Sequence, residues 1–331
     1  MKAITIEQYG GPEVLQWQDE VSVPEPDVGE ILVRVACAGI NFMDIHTRQG
    51  KYASSQTYPV RLPCTLGMEG AGRVVATGPG VHDLRPGDRV AWCIAWGSYA
   101  EYACIPAARS AKLPDDIPYE LAAAALFQGS TAHYLLHDVA RLHAGDSCLV
   151  HAASGSIGQL LVQWAKRLGA TVYATASTKV KCAIALGHGA DAAFQYEEFA
   201  EQVRVATQGQ GVDVVFDSVG RTTLRQSLRA TRKRGLVVNY GSVSGSLDDL
   251  DPIELGEAGS LFLTRPRLAD HMQDAQEVQR RAEAVFAALR SGELRVTISE
   301  RYSLEDVARA HERIESRVQV GKAIVDICPQ A

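Results

Sequence analysis

A short glycine-containing turn is the first part of this sequence whose residue types and spacing suggest chemistry. It reads Ala152-Ala-Ser-Gly155-Ser-Ile-Gly158 and follows an apolar run of buried-strand length, residues 147–152. A glycine at 155 would let the backbone approach a pyrophosphate, and a glycine at 158 would let the next helix pack closely on the strand. The N-terminus of that helix offers free N–H groups and a positive dipole end. The turn predicts a dinucleotide site rather than a tight turn without a ligand, with phosphate contacts at Gly155, Ser156, Ile157 and Gly158.

The residues after the next predicted strand indicate which dinucleotide would fit. A site for NAD usually has Asp or Glu about 20 residues after the glycine turn, where it bonds the ribose hydroxyls. This chain instead has Thr175-Ala-Ser-Thr-Lys-Val-Lys181, with hydroxyls and two lysines but no carboxylate. Hydroxyl and ammonium groups suit a 2′-phosphate, which a carboxylate would repel. The sequence therefore favours NADPH, and the alternative is that Lys179 and Lys181 only form a solvated helix start.

Both features lie in a stretch where predicted strands and helices alternate. Such alternation is typical of βαβ units and of a doubly wound parallel sheet, so the fold class is α/β. The predicted strands are 147–152, 171–176, 192–194, 212–216, 236–240 and 261–264, and the predicted helices are 157–168, 180–186 and about 197–206.

The chain before this stretch has a different pattern. Residues 1 to about 125 consist of short apolar runs separated by Gly/Pro turns, which predicts a small barrel-like β domain. Within it Ile31, Val33 and Val35 are expected to face inward, alternating with Leu32 and Arg34 in a half-buried strand. After Arg265, an amphipathic helix at about 275–291 and shorter segments complete the chain.

Composition and charge exclude several classes of function. The 331 residues suit about two domains of roughly 150 residues each, and the net charge is −6. That charge argues against nucleic acid as a partner, and the basic triplet Arg232-Lys-Arg234 is expected to be a solvated helix end. No apolar run of about 18 residues and no signal-peptide pattern occur, so no membrane segment is expected. The seven scattered cysteines fit neither a disulfide framework nor a zinc spacing, which favours the cytoplasm.

Seven short segments of the chain together resemble one family. They are Gly10-Gly-Pro-Glu-Val-Leu15, Gly39-Ile-Asn-Phe-Met-Asp44, Leu66-Gly-Met-Glu69, Pro86-Gly-Asp-Arg-Val90, Gln163-Trp-Ala-Lys166, Phe216-Asp-Ser-Val-Gly220 and Thr264-Arg-Pro266. This combination is similar to the zeta-crystallin type of quinone oxidoreductase, a zinc-free branch of the medium-chain dehydrogenase/reductase superfamily. The resemblance implies a GroES-like, β-rich catalytic domain at 1–126 and 266–331 and a Rossmann-type nucleotide-binding domain at 127–265. It also implies a homodimer joined through the edge strand at 261–264, and the alternative is that this apolar strand is covered within one chain.

The resemblance also implies roles for individual residues. Asn41 would orient the nicotinamide and Tyr52 would border the substrate, so both are predicted to be catalytic. His46 stands where some relatives have Tyr, and Ser156 replaces one of the family's adjacent glycines. The cofactor contacts that the resemblance adds to the glycine turn are Asn41, His46, Thr131, Ser177, Lys181, Tyr196, Ser218, Tyr240, Gly241, Ser242, Thr264 and Arg317.

No catalytic metal is predicted. Zinc-dependent members of the superfamily have Cys in a Gly-x-Cys pattern and His in Gly-His-Glu, and the matching positions here are Asn41 and Met68. An amide and a thioether are poor zinc ligands. Reduction of a quinone does not need a Lewis acid, because the added charge spreads over the ring and both oxygens.

Three functions are compatible with these residues. The first is an NADPH:quinone reductase. In it the cofactor supplies the reducing equivalents, and the protein positions the reactants in an apolar pocket that excludes water. The second is an NADPH-dependent reductase of α,β-unsaturated aldehydes or ketones, with the same fold and cofactor. The third is a cofactor-binding structural or RNA-binding protein, against which the net charge of −6 argues.

Overall fold

The computed structural model describes residues 1–328, and the chain divides into two compact units. Unit 1 comprises residues 1–130, 271–290 and the chain from 296 onward, and unit 2 comprises residues 131–270 and 291–295. Residues 329–331, which end the segment predicted at 266–331, lie outside the described residues.

Strands form two sheets in unit 1 and one sheet in unit 2. Their bounds in chain order are β1 (Ala3–Ile6), β2 (Gln16–Gln18), β3 (Glu30–Gly39), β4 (Cys64–Thr65), β5 (Glu69–Thr77), β6 (Arg89–Cys93), β7 (Tyr102–Pro106), β8 (Ser110–Lys112), β9 (Ser147–Val150), β10 (Thr171–Thr175), β11 (Ala192–Phe194), β12 (Val212–Asp217), β13 (Thr231–Asn239), β14 (Phe262–Thr264), β15 (Ile298–Ser303) and β16 (Lys322–Asp326).

The α-helices lie mostly between the strands of unit 2. Their bounds are α1 (Phe42–Arg48), α2 (Tyr119–Tyr134), α3 (Ser156–Arg167), α4 (Lys179–Gly187), α5 (Phe199–Ala206), α6 (Leu224–Ala230), α7 (Pro252–Glu257), α8 (Ala275–Arg290) and α9 (Val307–Glu315). A π-helical turn at Leu135–Val139 continues α2. Within residues 1–328, no helix is long and apolar enough to cross a membrane.

Unit 1 is built around a seven-stranded sheet with the order β15-β16-β3-β5-β6-β8, in which β7 also pairs with β3. A second sheet has the order β2-β1-β4. Ile31, Val33 and Val35 are fully buried, as their alternation predicts. Leu32 is buried as well, so its predicted outward position is wrong. The reason is that β3 is covered on both faces, and within it only Arg34 is exposed.

Unit 2 contains a six-stranded sheet with the order β11-β10-β9-β12-β13-β14, and all its neighbouring strands are parallel. Numbered within the unit, this order is 3-2-1-4-5-6, the order of dinucleotide-binding sheets. Leu149, Val215 and Val237 are fully buried and belong to one apolar cluster with Phe199 of α5. The predicted α/β class with a doubly wound parallel sheet is therefore confirmed.

The basic triplet at 232–234 is not a helix end, so that prediction is wrong. Helix α6 stops at Ala230, and the triplet forms the beginning of β13. Arg232 pairs with Asp213 of the neighbouring strand β12. Arg234 has a φ of 57°, in the left-handed region that residues other than glycine rarely adopt.

A buried polar chain ties helices α1 and α9 of unit 1 together. Arg48 of α1 is fully buried, and it donates to both carboxylate oxygens of Glu315 at 2.9 and 3.0 Å. Its Nη1 lies 3.3 Å from Nδ1 of His311. On the other side of that ring, His311 Nε2 lies 3.2 Å from the hydroxyl of Tyr99, which donates to Asp44 Oδ2 at 2.9 Å.

The hydrogen bonds from Arg48 through His311 to Tyr99 require the imidazole of His311 to be neutral. A guanidinium can only donate, so His311 Nδ1 accepts from Arg48, and the ring proton is on Nε2, facing Tyr99. Burial, aided by the positive charge of Arg48, lowers the pKa of His311 to about 3. The imidazole therefore stays neutral when the folded protein is moved well below neutral pH.

Folding stability should fall in acid because of His311. An unfolded His has a pKa of about 6.5, so below that pH the unfolded chain binds a proton that the folded chain refuses. In His311→Asn this contribution is absent. The stability advantage of the wild type over His311→Asn should therefore shrink by up to about 1.4 kcal/mol per pH unit below about pH 6.5.

The measurement is urea unfolding of both proteins between about pH 7 and pH 5. His82→Asn is the matched control, because His82 is exposed, and its unfolding free energy should follow that of the wild type. A constant difference between the wild type and His311→Asn at every pH would contradict the neutral-imidazole assignment.

Candidate functional site

Asn41, the predicted catalytic residue of unit 1, immediately precedes helix α1. Its backbone is extended, with φ −133° and ψ 151°, and its N–H donates to Asp44 Oδ2 at 2.8 Å. The other oxygen of Asp44 accepts the N–H of Met68 at 3.0 Å. One carboxylate thus holds together the two chain segments that carry Asn41 and Met68. Burial raises the pKa of Asp44 to about 7, while the donated hydrogen bonds act in the opposite direction.

The side chain of Asn41 lies in a buried network of charged and amide groups. Its Oδ1 accepts from Lys322 Nζ at 2.8 Å, and its Nδ2 donates to Glu69 Oε2 at 3.1 Å. Lys322 Nζ also donates to Glu69 Oε2 at 2.8 Å. The amide of Gln128 lies 2.6 Å from both Asn41 Oδ1 and Lys322 Nζ. Lys322 and Glu69 are almost fully buried, so their opposite charges interact with little solvent screening.

The backbone around this network leaves room for the carboxylate of Glu69. Its second oxygen, Oε1, accepts the N–H of Phe127 in α2 at 2.7 Å. A Cβ at Gly39 would lie 2.5 Å from Glu69 Oε2 and 2.3 Å from the carbonyl oxygen of Ala123. The glycine of the Gly39-Ile-Asn41 segment is therefore needed because the carboxylate and α2 pack directly against its Cα.

Aromatic side chains follow Asn41 along α1 and the turn after it. The ring centroids of His46 and Tyr52 are 6.2 Å apart, and those of Tyr52 and Tyr58 are 5.6 Å apart, both in edge-on arrangements. Phe42 lies 6.2 Å from His46. The structure therefore brings the predicted residues His46 and Tyr52 together in an aromatic cluster that could border a flat, apolar ligand.

In unit 2, the glycine turn connects β9 to α3. Gly155 precedes the helix with extended backbone, φ −78° and ψ 170°, and Ser156 is the first helical residue. A Cβ at Gly158 would lie 2.4 Å from the carbonyl oxygen of Ala152 and 2.7 Å from Cα of Ala153. The turn itself is left-handed at Ala152, with a φ of 49°. Close packing of the helix on the turn thus depends on Gly158, as the sequence predicts.

The second strand, β10, ends next to this turn without a carboxylate. Ser177 is exposed after the strand, and the hydroxyl of Thr178 caps α4 by accepting the N–H of Lys181 at 3.2 Å. Partial burial lowers the pKa of Lys181. The hydroxyl of Tyr196 accepts the N–H of Ala152 at 3.1 Å, so Tyr196 supports the glycine turn.

A buried histidine and aspartate connect the carboxyl ends of three parallel strands. His151 follows β9, and its Nδ1 lies 2.6 Å from the hydroxyl of Thr175 at the end of β10. Its Nε2 lies 2.9 Å from the hydroxyl of Ser227, which donates to Asp217 Oδ2 at 2.8 Å. Burial lowers the pKa of His151, which keeps the ring neutral, and the charge of Asp217 opposes this effect.

Asp217 also orders the two loops that contain three predicted cofactor contacts. Its Oδ1 accepts the N–H groups of Val219 and Gly220, both at 2.9 Å, and its backbone carbonyl accepts the N–H of Tyr240 at 2.9 Å. A Cβ at Gly241 would lie 2.4 Å from the carbonyl oxygen of Ser218. Ser218, Tyr240 and Gly241 therefore meet at the carboxyl ends of β12 and β13, where parallel sheets bind ligands.

The remaining predicted residues are placed as follows. Ser242 is mostly buried and follows Gly241 in the same loop, and Thr264 is the last residue of β14. Thr131 is mostly buried in α2. Arg317 lies in unit 1, exposed in the turn after α9, with a φ of 57°.

Besides Asp44, five polar residues that organise these sites have no role in the predictions from sequence. They share one signal, which is a charged or polar side chain inside an otherwise apolar segment. Glu69 stands among uncharged residues, Lys322 opens the apolar run of β16, and Asp217 ends the apolar run of β12. The five are Glu69, Gln128, His151, Asp217 and Lys322. Within residues 1–328, no group of three or more His, Cys, Asp and Glu side chains could hold a metal ion.

Comparison with known proteins matches both units to described families. Residues 27–115 match the alcohol dehydrogenase GroES-like domain, and residues 156–273 match the zinc-binding dehydrogenase family. A 2-haloacrylate reductase from Burkholderia is 37% identical over 99% of this chain and 99% of its own length. A quinone oxidoreductase from Pseudomonas aeruginosa is 37% identical over 98% of this chain and 99% of its own length.

A solved structure extends this similarity to the whole fold. The quinone oxidoreductase of Escherichia coli, determined in complex with NADPH, is 36% identical, with a TM-score of 0.94 over 98% of this chain and 100% of that chain. Similarity of this extent covers both units. The chain therefore belongs to the quinone oxidoreductase family of the medium-chain dehydrogenase/reductase superfamily.

Proposed function

We propose that this chain is an NADPH-dependent quinone reductase that works without a metal. The observation that carries the proposal is its full-length similarity to the E. coli quinone oxidoreductase solved with NADPH, at a TM-score of 0.94. The site residues support it. Unit 2 has the strand order of a dinucleotide-binding sheet, and β10 ends in hydroxyls and Lys181 rather than in a carboxylate.

The residues of unit 2 fit a dinucleotide phosphate. The glycine turn leads directly into α3, and the N–H groups of a first helical turn have no partner within the helix, so they suit a phosphate. Gly155, Ser156, Ile157 and Gly158 would hold the pyrophosphate, and Ser177, Lys181 and Tyr196 would hold the 2′-phosphate end. Ser218, Tyr240, Gly241, Ser242 and Thr264, with Thr131 and Arg317, are the further proposed contacts.

In unit 1, the proposed role of Asn41 is to orient the nicotinamide, and that of Tyr52 is to border the acceptor. His46, whose ring lies next to that of Tyr52, is a further proposed cofactor contact. When bound, NADPH supplies the reducing equivalents, and a quinone that takes up two electrons and two protons leaves as the hydroquinone. The ring of Tyr52, which lies edge-on to that of His46, would contact a flat ring and exclude water from one side of it. Asn41 and Met68 offer an amide and a thioether where a zinc site would need Cys and His.

A second candidate is reduction of activated carbon–carbon double bonds. The Burkholderia relative at 37% identity bears the name 2-haloacrylate reductase, and it matches 99% of this chain.

We also propose a homodimer joined through β14, an edge strand on which Phe262 is 64% exposed. The cytoplasm is the proposed compartment, and nucleic acid is not a proposed partner, in keeping with seven unpaired cysteines and a net charge of −6.

Steady-state rates distinguish the candidates. The purified protein should oxidise NADPH with benzoquinone, at a kcat/KM at least about tenfold above that with NADH, because the end of β10 favours the 2′-phosphate. An aliphatic enone and 2-chloroacrylate are the competing acceptors. Turnover of those acceptors without quinone turnover would promote the second candidate. NADPH binding without any turnover would favour a binding protein.

Cofactor preference should depend on Lys181. Lys181→Glu places a carboxylate where the 2′-phosphate is proposed to bind, so the KM for NADPH should rise at least about tenfold. The KM for NADH should change much less. Lys233→Glu makes the same charge change at an exposed position of β13 and is the matched control. Equal effects of the two variants on both cofactors would contradict the proposed phosphate site.

Binding of either cofactor should require the glycine at 158. Gly158→Ala forces a Cβ against the carbonyl of Ala152, which displaces α3 from the turn, and the Kd for NADPH should rise at least about tenfold. Gly187→Ala is the control, because a Cβ there meets no atom within 4 Å. Titration of NADPH fluorescence measures both. An unchanged Kd in a folded Gly158→Ala protein would place the phosphates elsewhere.

A further inference from the structure

We propose that Lys322 and Glu69 are positioning residues, which hold the amide of Asn41 in one of its two orientations and so set the geometry of the bound nicotinamide. The inference rests on the proposed function, since it gives a task to the residue that is predicted to orient the nicotinamide. Neither Lys322 nor Glu69 has a role in the predictions from sequence. Their placement in the structure is what assigns them one.

The Lys322–Glu69 ion pair is almost fully buried, although burying an ion pair often adds nothing to folding stability. Only 1% of the Lys322 side chain and none of the Glu69 side chain is exposed. Removing two charges from water is costly, and buried ion pairs are often no better for stability than apolar residues of the same volume. The fold nevertheless keeps both charges, with Asn41 placed against them.

Every polar group of the pair is already occupied within the protein. Lys322 Nζ faces Asn41 Oδ1, Glu69 Oε2 and the amide of Gln128, at 2.8, 2.8 and 2.6 Å. Glu69 Oε1 accepts the N–H of Phe127. The ammonium nitrogen and both carboxylate oxygens thus each have a partner inside the protein. Both residues therefore act through Asn41 and not as an acid or a base.

The two charges distinguish the ends of the Asn41 amide. A side-chain amide can rotate by half a turn, which exchanges its oxygen and nitrogen at little steric cost. Here the oxygen faces the ammonium of Lys322, and the nitrogen faces the carboxylate of Glu69. The reversed orientation would place donor against donor and acceptor against acceptor in a desolvated pocket. Only one orientation of Asn41 is compatible with both charges.

The first test removes the pair without leaving an unpaired charge. In the double variant Glu69→Gln/Lys322→Met the cluster stays neutral overall, so it should fold, whereas a single change would bury an uncompensated charge. We expect NADPH to bind with a Kd within about threefold of the wild type, while kcat with benzoquinone falls at least about tenfold. The fluorescence emission spectrum of bound NADPH can be recorded without an acceptor. It should become closer to the spectrum of free NADPH.

The matched control changes a second ion pair that also has one member on β16. Arg301 and Asp326 pair at 2.9 Å between β15 and β16, and neither contacts Asn41. Arg301→Met/Asp326→Asn should keep kcat within about twofold and leave the emission of bound NADPH unchanged. Near-ultraviolet circular dichroism checks that both double variants are folded.

A second set of variants keeps the test decisive if the first double variant does not fold. Asn41→Asp sets a carboxylate against Glu69 across the 3.1 Å contact, and it should lower kcat and shift the emission of bound NADPH. Adding Glu69→Gln restores both the net charge and a donor–acceptor contact. The rescued variant should recover at least about a third of the wild-type kcat and the wild-type emission.

The outcomes separate this inference from the proposed function. Unchanged emission and a kcat within about twofold of the wild type in a folded Glu69→Gln/Lys322→Met protein would overturn the positioning role. Failure of Glu69→Gln to rescue Asn41→Asp would overturn it as well. A wild-type protein that reduces no quinone, combined with the expected emission changes, would refute the proposed function and leave the positioning role supported.

Discussion

An ammonium and a carboxylate that share the amide of Asn41 hold together chain segments that are far apart in sequence. Lys322 opens β16, Glu69 opens β5, and Asn41 stands between β3 and α1. Because the charges are almost fully buried, the free energy of the cluster depends on all its contacts being made at once. The C-terminal strand thus contributes to the site at Asn41 as directly as the N-terminal segments do. Gly39 belongs to the same constraint, because a larger residue would displace the carboxylate.

Unit 2 follows the same physical rule with different groups. A buried Asp217 accepts backbone N–H groups from the loop that follows it, and neutral His151 connects it to the end of β10 through Ser227 and Thr175. The loops at the carboxyl ends of these strands are thereby fixed before any ligand binds. In both units, side chains that would not touch a ligand hold those that are proposed to touch it, and such pre-organisation lowers the entropy cost of binding.

The sequence was sufficient for the local features and insufficient for the distant ones. The parallel sheet follows from apolar runs alternating with helical periodicity, and Gly158 could be assigned because the turn, strand and helix are adjacent in the chain. The contact between Lys322 and Glu69 joins residues 253 positions apart, so no local pattern pairs them. The prediction for Leu32 is wrong because periodicity does not show which strands are covered on both faces. The prediction for the triplet at 232–234 is wrong because charge does not show where a helix ends.

A crystal structure of the protein with NADPH bound would show whether the buried Lys322–Glu69 pair positions Asn41 at the nicotinamide. The network predicts that Lys322 Nζ remains within about 3 Å of both Asn41 Oδ1 and Glu69 Oε2, with the Asn41 side chain beside the nicotinamide. A structure in which Lys322 has left Asn41, or in which the nicotinamide lies away from Asn41, would contradict the claim that this buried pair positions the site.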